Sequence, residues 1–223
     1  MILALAATQI EMKPFLEELP GDASSCLTLV TGVGPVETAV RLTRFFCEHG
    51  EQKIKNIQAV VNFGIGGAYL QPGGEKQPAL LDICLAEREI FGDLGICLEE
   101  EIACLDRSLT GEIEYSMDGE FLRTCRVLLE SFGMVCHTGV FITVATISGT
   151  LRRGEMLRAK WRGLCENMEG AAIARVCREF SVPCLEVRAV SNYVEDRNPA
   201  NWRIHEACRE AARTAALIIK GCI

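Results

Sequence analysis

The sequence contains no CxxC pair, although twelve of its 223 residues are cysteine. None of its three histidines lies near paired cysteines, so neither a zinc site nor a dithiol redox motif is expected. The cysteines sit mostly inside apolar runs, as Cys84, Cys177 and Cys184 do. We therefore expect buried, reduced thiols that act as small hydrophobic side chains, which favours a reducing, cytoplasmic compartment.

Long apolar stretches and basic clusters are also missing. No segment approaches the roughly 18 apolar residues that a membrane-spanning helix needs, and the apolar start lacks the basic residues of a signal peptide. The net charge is −7, and no run of Lys and Arg suggests a nucleic-acid partner. The chain shows no repeat or linker, and its length fits one domain over residues 1–223.

Short apolar runs alternate with amphipathic patterns along most of the chain. Continuous apolar strands are typical of strands buried on both faces, so the alternation predicts an α/β fold with helices on both faces of a sheet. Residues 90–118 show no clear pattern. The predicted strands are Ile2–Thr8, Cys26–Val33, Ala59–Ile65, Leu80–Glu87, Val135–Ala145 and Cys184–Ser191. The predicted helices are Pro35–Glu48, Glu120–Ser131, Gly170–Phe180 and Asn201–Lys220.

Polar residues cluster where these strands end. Ligands of open α/β sheets bind outside the carboxyl ends of the strands. We therefore expect one site formed by six segments, which are Thr8–Glu11, Thr31–Gly34, Gly64–Gly67, Thr143–Ser148, Asn167–Glu169 and Ser191–Arg197.

Two glutamates and an arginine in or beside these segments suggest catalysis, although each also has a structural interpretation. Glu11 is suited to activate water, or to interact with the dipole at the start of a helix. The Glu169 carboxylate is suited to accept two neighbouring sugar hydroxyls, or is a solvated residue of a first helical turn. Arg188 interrupts an apolar strand and must be paired if buried. A structural ion pair, for example with Glu186, and an active-site cation remain equally open.

The glycine patterns are less informative. Neither Gly32-Val33-Gly34 nor Gly64-Ile65-Gly66-Gly67 completes a GxGxxG fingerprint, which disfavours a dinucleotide-binding reductase.

Four segments resemble the purine nucleosidase and nucleoside phosphorylase superfamily: AATQIEM, TGVGPVETA, VVNFGIGGAY and NMEGAAIARVCREFSVPCLEVRAVSN. The resemblance covers nearly the whole chain, and the last segment is the most specific. It implies a single-domain three-layer sandwich around a twisted mixed central sheet, the nucleoside phosphorylase-like fold. It further implies a nucleoside substrate, no metal or organic cofactor, and a homodimer or larger homo-oligomer.

The same resemblance implies roles for individual residues. Glu11 matches the carboxylate that activates water, and Arg188 matches an arginine near that water. Glu169 matches the residue that binds the ribose hydroxyls, with Met168 packed against the sugar. Ile147 matches an apolar position that stacks on the base. The remaining expected substrate contacts are Asn167, Gly64, Ser191 and Arg197.

Asn192 departs from the superfamily pattern, because adenine-specific nucleosidases carry Asp at the matching position. An ionised Asp repels the 6-oxygen of hypoxanthine, whereas an Asn amide offers it a donor and offers the ring N–H an acceptor. A polar mismatch in such a site costs several powers of ten in discrimination. We therefore expect Asn192 to lie near the departing base and to favour a 6-oxopurine. The alternative is that Asn192 is an ordinary turn residue with no role in binding.

A second departure concerns the nucleophile. Asn62 and Ile65 match positions where hexameric phosphorylases hold phosphate with an Arg and a Ser. An Ile side chain cannot bind phosphate, so water is the expected nucleophile.

The residues Ser191, Asn192, Val194 and Arg197, followed by Trp202, look most like the branch of this superfamily that hydrolyses futalosine. That activity releases hypoxanthine in menaquinone biosynthesis. Futalosine carries a benzoate on its 5′ extension, which Arg197 or Arg203 is expected to meet unless both are solvated.

Three alternatives remain open from the sequence. Two are enzymes of the same fold, a methylthioadenosine or S-adenosylhomocysteine nucleosidase and an inosine-type phosphorylase. The third is a nucleoside-binding regulatory protein, against which the presence of Glu11, Glu169 and Arg188 argues.

Overall fold

The computed structural model of the chain describes residues 1–19, 26–72, 77–99 and 101–222. The strands in these ranges are β1 (Ile2–Ala6), β2 (Cys26–Val30), β3 (Ala59–Tyr69), β4 (Ile83–Phe91), β5 (Gly95–Cys97), β6 (Ile102–Cys104), β7 (Glu114–Ser116), β8 (Cys136–Thr143), β9 (Gly163–Asn167) and β10 (Cys184–Val194). The helices are α1 (Gln9–Glu18), α2 (Pro35–Ile54), α3 (Arg107–Thr110), α4 (Gly119–Ser131), α5 (Leu151–Trp161), α6 (Gly170–Glu179) and α7 (Ile204–Cys222). Helix α2 has a non-helical break at Gly50.

Eight strands form one mixed sheet in the order β10-β4-β8-β9-β3-β1-β2, with β7 beside β4. Strand β3 runs parallel to β1 and β10, whereas β4 runs antiparallel to β10 and parallel to β8. Because β10 pairs with both β3 and β4, the strands β3, β10, β4, β8 and β9 close into a ring. The α/β class and the mixed sheet agree with the prediction. The ring was not predicted, since pairing between distant strands leaves no local pattern in the sequence.

Strand β1 shows how the sheet is buried on both faces. Ile2, Ala4 and Ala6 belong to the hydrophobic cluster that α1, α4 and α7 cover, whereas Leu3 and Leu5 belong to the cluster under α2 and α6. Successive side chains of a strand point to opposite faces, so every residue of β1 is apolar. Among the described residues, no helix is both long enough and apolar enough to cross a membrane.

Several predicted boundaries are wrong because tertiary pairing overrides the local signal. β3 continues through its glycines to Tyr69, because it pairs with β10 from Val60↔Cys184 to Tyr69↔Val194. The segment Gly64–Gly67 therefore lies within a strand and not beyond its end. β10 likewise continues to Val194, with a register shift between Val190 and Asn192.

Other elements were missed or misplaced. α5 was not predicted because its sequence is rich in charge and contains Gly154, and β9 was not predicted because it has only five residues. Residues 90–118, which show no pattern in the sequence, contain the β5–β6 pair, α3 and β7. The final helix begins at Ile204 and not at Asn201, because Pro199–Asn201 forms a 3-10 turn.

Candidate active site

A cavity of about 280 Å³ opens where β1, β8 and β9 end. All six segments that the sequence singled out contribute to its wall, through Glu11, Val33, Gly67, Ile147, Glu169 and Asn192 among others. Helix α7 and the chain before it close one side with Trp202, Ile204 and Cys208. The structure therefore brings residues from distant parts of the chain to one site.

Eight of the ten expected site residues line this cavity: Glu11, Ile147, Asn167, Met168, Glu169, Arg188, Ser191 and Asn192. Gly64 is not part of the wall, which corrects its assignment as a substrate contact. It lies behind Glu11 and Arg188, and a Cβ on it would be 2.5 Å from Glu11 Oε1 and 2.8 Å from Arg188 Nη1. A glycine is needed there to leave room for the two charged groups.

Arg197 is also outside the cavity wall and is exposed. Its guanidinium lies 5.1 Å from the centre of the Trp202 ring, and Trp202 does line the cavity. Arg203 is exposed and pairs with Glu206 at 2.8 Å. Of the two arginines, Arg197 therefore packs on a side chain of the cavity wall, whereas Arg203 forms an ion pair with Glu206.

Glu11 is held by the start of α1. Thr8 and Glu11 form a capping box, in which the Thr8 N–H and Oγ1 donate to Glu11 Oε2 at 3.0 and 2.8 Å. The Ile65 N–H donates to Oε1 at 3.2 Å. The helix-start and active-site interpretations of Glu11 are therefore compatible, since the cap also fixes the carboxylate at the cavity.

Arg188 is almost fully buried and is bound on three sides. Its Nε donates to Glu186 Oε1 at 2.8 Å, its Nη2 to Glu169 Oε2 at 3.1 Å, and its Nη1 to the Ile65 carbonyl at 3.1 Å. Burial alone would lower the pKa of Arg188, but the neighbouring carboxylates outweigh it and raise the pKa. The guanidinium is therefore charged, and it is both an ion-pair partner and a residue of the site.

Burial raises the pKa of Glu11 above its ordinary value of 4.5. The positive charge of Arg188 and the hydrogen bonds from Thr8 and Ile65 oppose that rise. A carboxylate with a raised pKa is a stronger base, which suits it to accept a proton from water.

Glu169 is buried and lies at the N-terminus of α6. Its Oε1 accepts from the Gly34 N–H at 3.1 Å, and its Oε2 accepts from Arg188. Gly34 has φ +91°, a conformation that L side chains rarely adopt, which explains the glycine before α2. Each carboxylate oxygen keeps a free lone pair, so Glu169 has capacity for two hydroxyl groups.

The Asn192 side chain is engaged by its neighbours at the cavity wall. Its Oδ1 accepts from Ser191 Oγ at 2.8 Å, and its Nδ2 donates to the Tyr193 carbonyl at 2.9 Å. An amide has two N–H donors and two lone pairs on its oxygen. One donor and one acceptor therefore remain for a ligand.

Sequence reasoning gave no role to Glu166, which also lines the cavity. Its carboxylate accepts from Tyr69 Oη at 2.9 Å and from the Ser148 N–H and Oγ at 2.8 and 2.6 Å. Burial and the charge of Glu166 raise the pKa of Tyr69, which keeps its hydroxyl a donor. Glu166 thus anchors the chain beside Ile147. No sequence signal pointed to it, because β9 was not predicted.

Ile204 and Cys208 were also missed, because nothing local shows that α7 passes the cavity. Among the described residues, no three His, Cys, Asp or Glu side chains are grouped so as to hold a metal ion.

A sequence profile describing the phosphorylase superfamily matches residues 22–223. The chain therefore belongs to the phosphorylase superfamily, as its resemblance implies. Within that class it groups with the futalosine hydrolases. Futalosine hydrolase of Thermus thermophilus is 32% identical over 98% of this chain and 95% of its own length.

Two further relatives bear on substrate and fold. Aminodeoxyfutalosine nucleosidase of Helicobacter pylori strain J99 is 31% identical over 86% of this chain and 76% of its own length. The structure of a futalosine hydrolase mutant of Helicobacter pylori strain 26695 superposes with a TM-score of 0.82 at 17% identity, covering 98% of each chain. This match confirms the predicted nucleoside phosphorylase-like fold.

Replacing Thr8 with Val should shift the titration of Glu11 to higher pH. The Thr8 hydroxyl stabilises the ionised carboxylate, so its loss favours the protonated form. Carbon-13 NMR of the Glu11 carboxyl should give a midpoint above 4.5 in the wild type and a higher one in Thr8→Val. Thr150→Val is the control, because it removes the N-cap of α5, at a cost of about 1 kcal/mol, without touching Glu11. Equal Glu11 midpoints in wild type and Thr8→Val would contradict the assignment.

Proposed function

We propose that this protein hydrolyses the N-glycosidic bond of futalosine, releasing hypoxanthine and dehypoxanthine futalosine in menaquinone biosynthesis. One observation carries the proposal: Glu11, Glu169 and Arg188 meet at a cavity that Asn192 also lines. The similarity to the Thermus thermophilus futalosine hydrolase supports it.

The water nucleophile would be activated by Glu11. Three hydrogen bonds fix its carboxylate. Two of them go to Oε2, and Oε1 accepts the Ile65 N–H and retains a lone pair for water. Arg188 donates to the carbonyl of Ile65, the residue whose N–H donates to Glu11. Arg188 thereby fixes Ile65 relative to Glu11. A water held by Glu11 can lose its proton to the carboxylate as it attacks the sugar carbon.

The ribose would be bound by Glu169, whose two oxygens each keep one lone pair for the adjacent hydroxyls. As the glycosidic bond breaks, positive charge develops on the sugar in an oxocarbenium-like transition state. The Glu11 and Glu169 carboxylates are buried and lie beside that charge. Fixed negative groups in a dry site stabilise such a transition state without having to reorganise.

The departing base would be recognised by Asn192. Its remaining N–H would donate to the 6-oxygen of hypoxanthine, and its remaining lone pair would accept a ring N–H. Ser191 holds the amide oxygen and thereby sets the orientation of the amide. This arrangement stabilises the negative charge that develops on the leaving purine.

Water is favoured over phosphate by the balance of charge. Arg188 is already paired with Glu186 and Glu169, and Glu11 lies close to it. A phosphate dianion would meet a surplus of carboxylates, with which like-charge repulsion is strong in a buried site. Ile65 presents an apolar side chain to the cavity, and Asn62 is buried away from the wall.

Arg197 would bind the carboxylate of the 5′ benzoate of futalosine. Its guanidinium stacks on Trp202, which holds the cation beside the cavity wall while leaving its N–H groups available. Arg203 is less suited because Glu206 already neutralises it.

The proposal includes a homodimer in the cytoplasm. Val36 and Val40 are 75% and 58% exposed on α2, beside the exposed Val33 and Ile10 of the cavity wall. A second copy covering these side chains would bury an apolar surface next to the site. Analytical ultracentrifugation should therefore show a dimer. Cys84, Cys165, Cys177 and Cys184 are buried and form no disulfide, which supports a reducing compartment.

The direct test is product analysis of futalosine, aminodeoxyfutalosine, inosine and methylthioadenosine, each with and without phosphate. We expect hypoxanthine from futalosine at a rate that phosphate does not change. Strict dependence on phosphate would make the protein a phosphorylase, and faster cleavage of methylthioadenosine would contradict the role of Asn192. Binding of a nucleoside without turnover would favour a regulatory protein.

Glu11→Gln should lower kcat by roughly 10²- to 10⁴-fold, as expected for the loss of a general base. KM should change little, because the amide keeps the shape of the side chain. Glu17→Gln is the matched control, since Glu17 is exposed on the same helix. A kcat equal to that of the wild type would remove Glu11 from the mechanism.

Asn192→Asp should move the preference from 6-oxopurine to 6-aminopurine nucleosides. The ratio of kcat/KM for futalosine to that for aminodeoxyfutalosine should fall about 10- to 100-fold, the worth of one hydrogen bond to a charged group. Asn198→Asp makes the same change at an exposed turn outside the cavity and should leave the ratio as it is. An unaltered ratio in Asn192→Asp would place discrimination elsewhere.

Arg197→Ala should raise KM for futalosine about 5- to 20-fold, as expected for a charge-assisted hydrogen bond, and leave KM for inosine unchanged. Arg203→Ala is the control, with little effect on either substrate. If Arg203→Ala weakened futalosine binding and Arg197→Ala did not, the assignment of the benzoate would be reversed.

A further inference from the structure

Two buried glutamates that the proposed mechanism does not use lie behind the cavity wall. Glu89 on β4 is 0% exposed and Glu186 on β10 is 2% exposed, and neither lines the cavity. Most acidic residues stay in water unless they are paired, so two of them in the core need an explanation.

Each glutamate contacts a different part of the active site. Glu186 accepts from Arg188 Nε at 2.8 Å, whereas Glu169 accepts from Nη2 of the same guanidinium. Glu89 accepts from Asn167 Nδ2 at 2.6 Å and from Thr143 Oγ1 at 2.7 Å. The pair thus contacts both Arg188 and Asn167.

Asn167 transmits the contact with Glu89 to the residue that binds ribose. Its Oδ1 accepts from the Glu169 N–H at 2.9 Å and from the Gly170 N–H at 2.8 Å. Since Glu89 holds the other end of the same amide, it fixes which way Asn167 points. The turn at the start of α6 therefore depends on Glu89.

The two carboxyl groups also contact each other. A Cβ on Gly170 would collide with both Glu89 Oε1 and Glu186 Oε2, so these two oxygens lie close to each other. The close approach at Gly170 is thus made by two carboxyl groups. A glycine at this position is required by the pair.

Two carboxylates this close repel each other unless one of them holds a proton. Burial, and then the charge of Glu186, raise the pKa of Glu89 well above its ordinary value, which favours a proton on Glu89. The titratable or charged groups that face Glu89 from the surrounding strands are Glu186 and Arg188 on β10, Cys165 on β9 and Tyr115 on β7. Glu186 remains the partner that Arg188 needs.

We propose that Glu89 and Glu186 form a proton-sharing pair that positions Arg188 and the turn Asn167–Gly170 for catalysis. The pair touches no substrate, so both are positioning residues, and their effect on turnover rests on the function proposed above. Glu186 fixes Arg188 by a direct hydrogen bond. Glu89 fixes the backbone of Glu169 indirectly, through the side chain of Asn167.

The first test compares two substitutions of Glu89. Glu89→Gln keeps a neutral side chain of the same shape that still has a donor and an acceptor, and should keep kcat for nucleoside hydrolysis within a few fold. Glu89→Leu removes both and should lower kcat roughly 10- to 100-fold, the cost of misplaced catalytic groups, with little change in KM. Thr214→Val is the control, a buried polar residue on α7 away from the pair. Equal kcat values in Glu89→Gln and Glu89→Leu would overturn the proposal.

The second test needs no activity. A carboxyl group with a raised pKa in the folded state keeps a proton that the unfolded chain loses above pH 4.5. Its stabilising contribution is complete below that pH and is lost as the pH rises towards the folded-state pKa. Glu89→Gln cannot titrate, so its Tm should fall less steeply with rising pH than that of the wild type. Parallel curves of Tm against pH would show that no proton is shared.

The two tests separate this proposal from the proposed function. If the wild type cleaves no nucleoside, the function fails, while the curves of Tm against pH still decide whether the pair holds a proton. If Glu89→Leu does not fold, Glu186→Gln replaces it. That variant should lower kcat more than it changes KM, because Arg188 loses a charged partner, and an unchanged kcat would overturn the positioning role.

Discussion

The buried guanidinium of Arg188 is the constraint on which the site depends. A charge taken out of water must be compensated, and here carboxylates from three separate elements do so. Glu11 comes from α1, Glu169 from the start of α6, and Glu186 from β10 itself. Because each carboxylate is fixed by its contact with this cation or with Ile65 beside it, compensating the charge also assembles the catalytic groups.

The same arrangement explains the proposed chemistry. The site contains more carboxylates than cations, which suits a sugar that becomes positively charged and does not suit a phosphate nucleophile. In the proposed pair Glu89 lowers this excess by carrying a proton, so the negative charge remains on Glu186 and on the carboxylates that face the cavity. The selectivity for the base then rests on uncharged groups, chiefly the Asn192 amide and the Ser191 hydroxyl that orients it.

Close approach of polar groups accounts for glycines that carry no function of their own. Gly64 leaves room for Glu11 and Arg188, and Gly170 leaves room for Glu89 and Glu186. Gly34 instead supplies a backbone conformation that turns its N–H towards Glu169. At Gly64 and Gly170 a carboxyl or guanidinium group occupies the space that a side chain would fill. At Gly34 the glycine conformation is needed so that its N–H can donate to a carboxylate.

The sequence by itself determined what local rules govern. Apolar strands, a glutamate suited to the start of a helix, and an arginine in an apolar strand that must be paired can all be read from neighbouring residues. Only the tertiary structure decided that β3 continues through its glycines to pair with β10, and that β10 closes a ring with β4. That closure places Glu89 against Glu186, and the pairing of β3 with β9 places Glu166 against Tyr69; each pair lies about 100 residues apart in the sequence. No local pattern records such contacts, because they exist only after distant strands have paired.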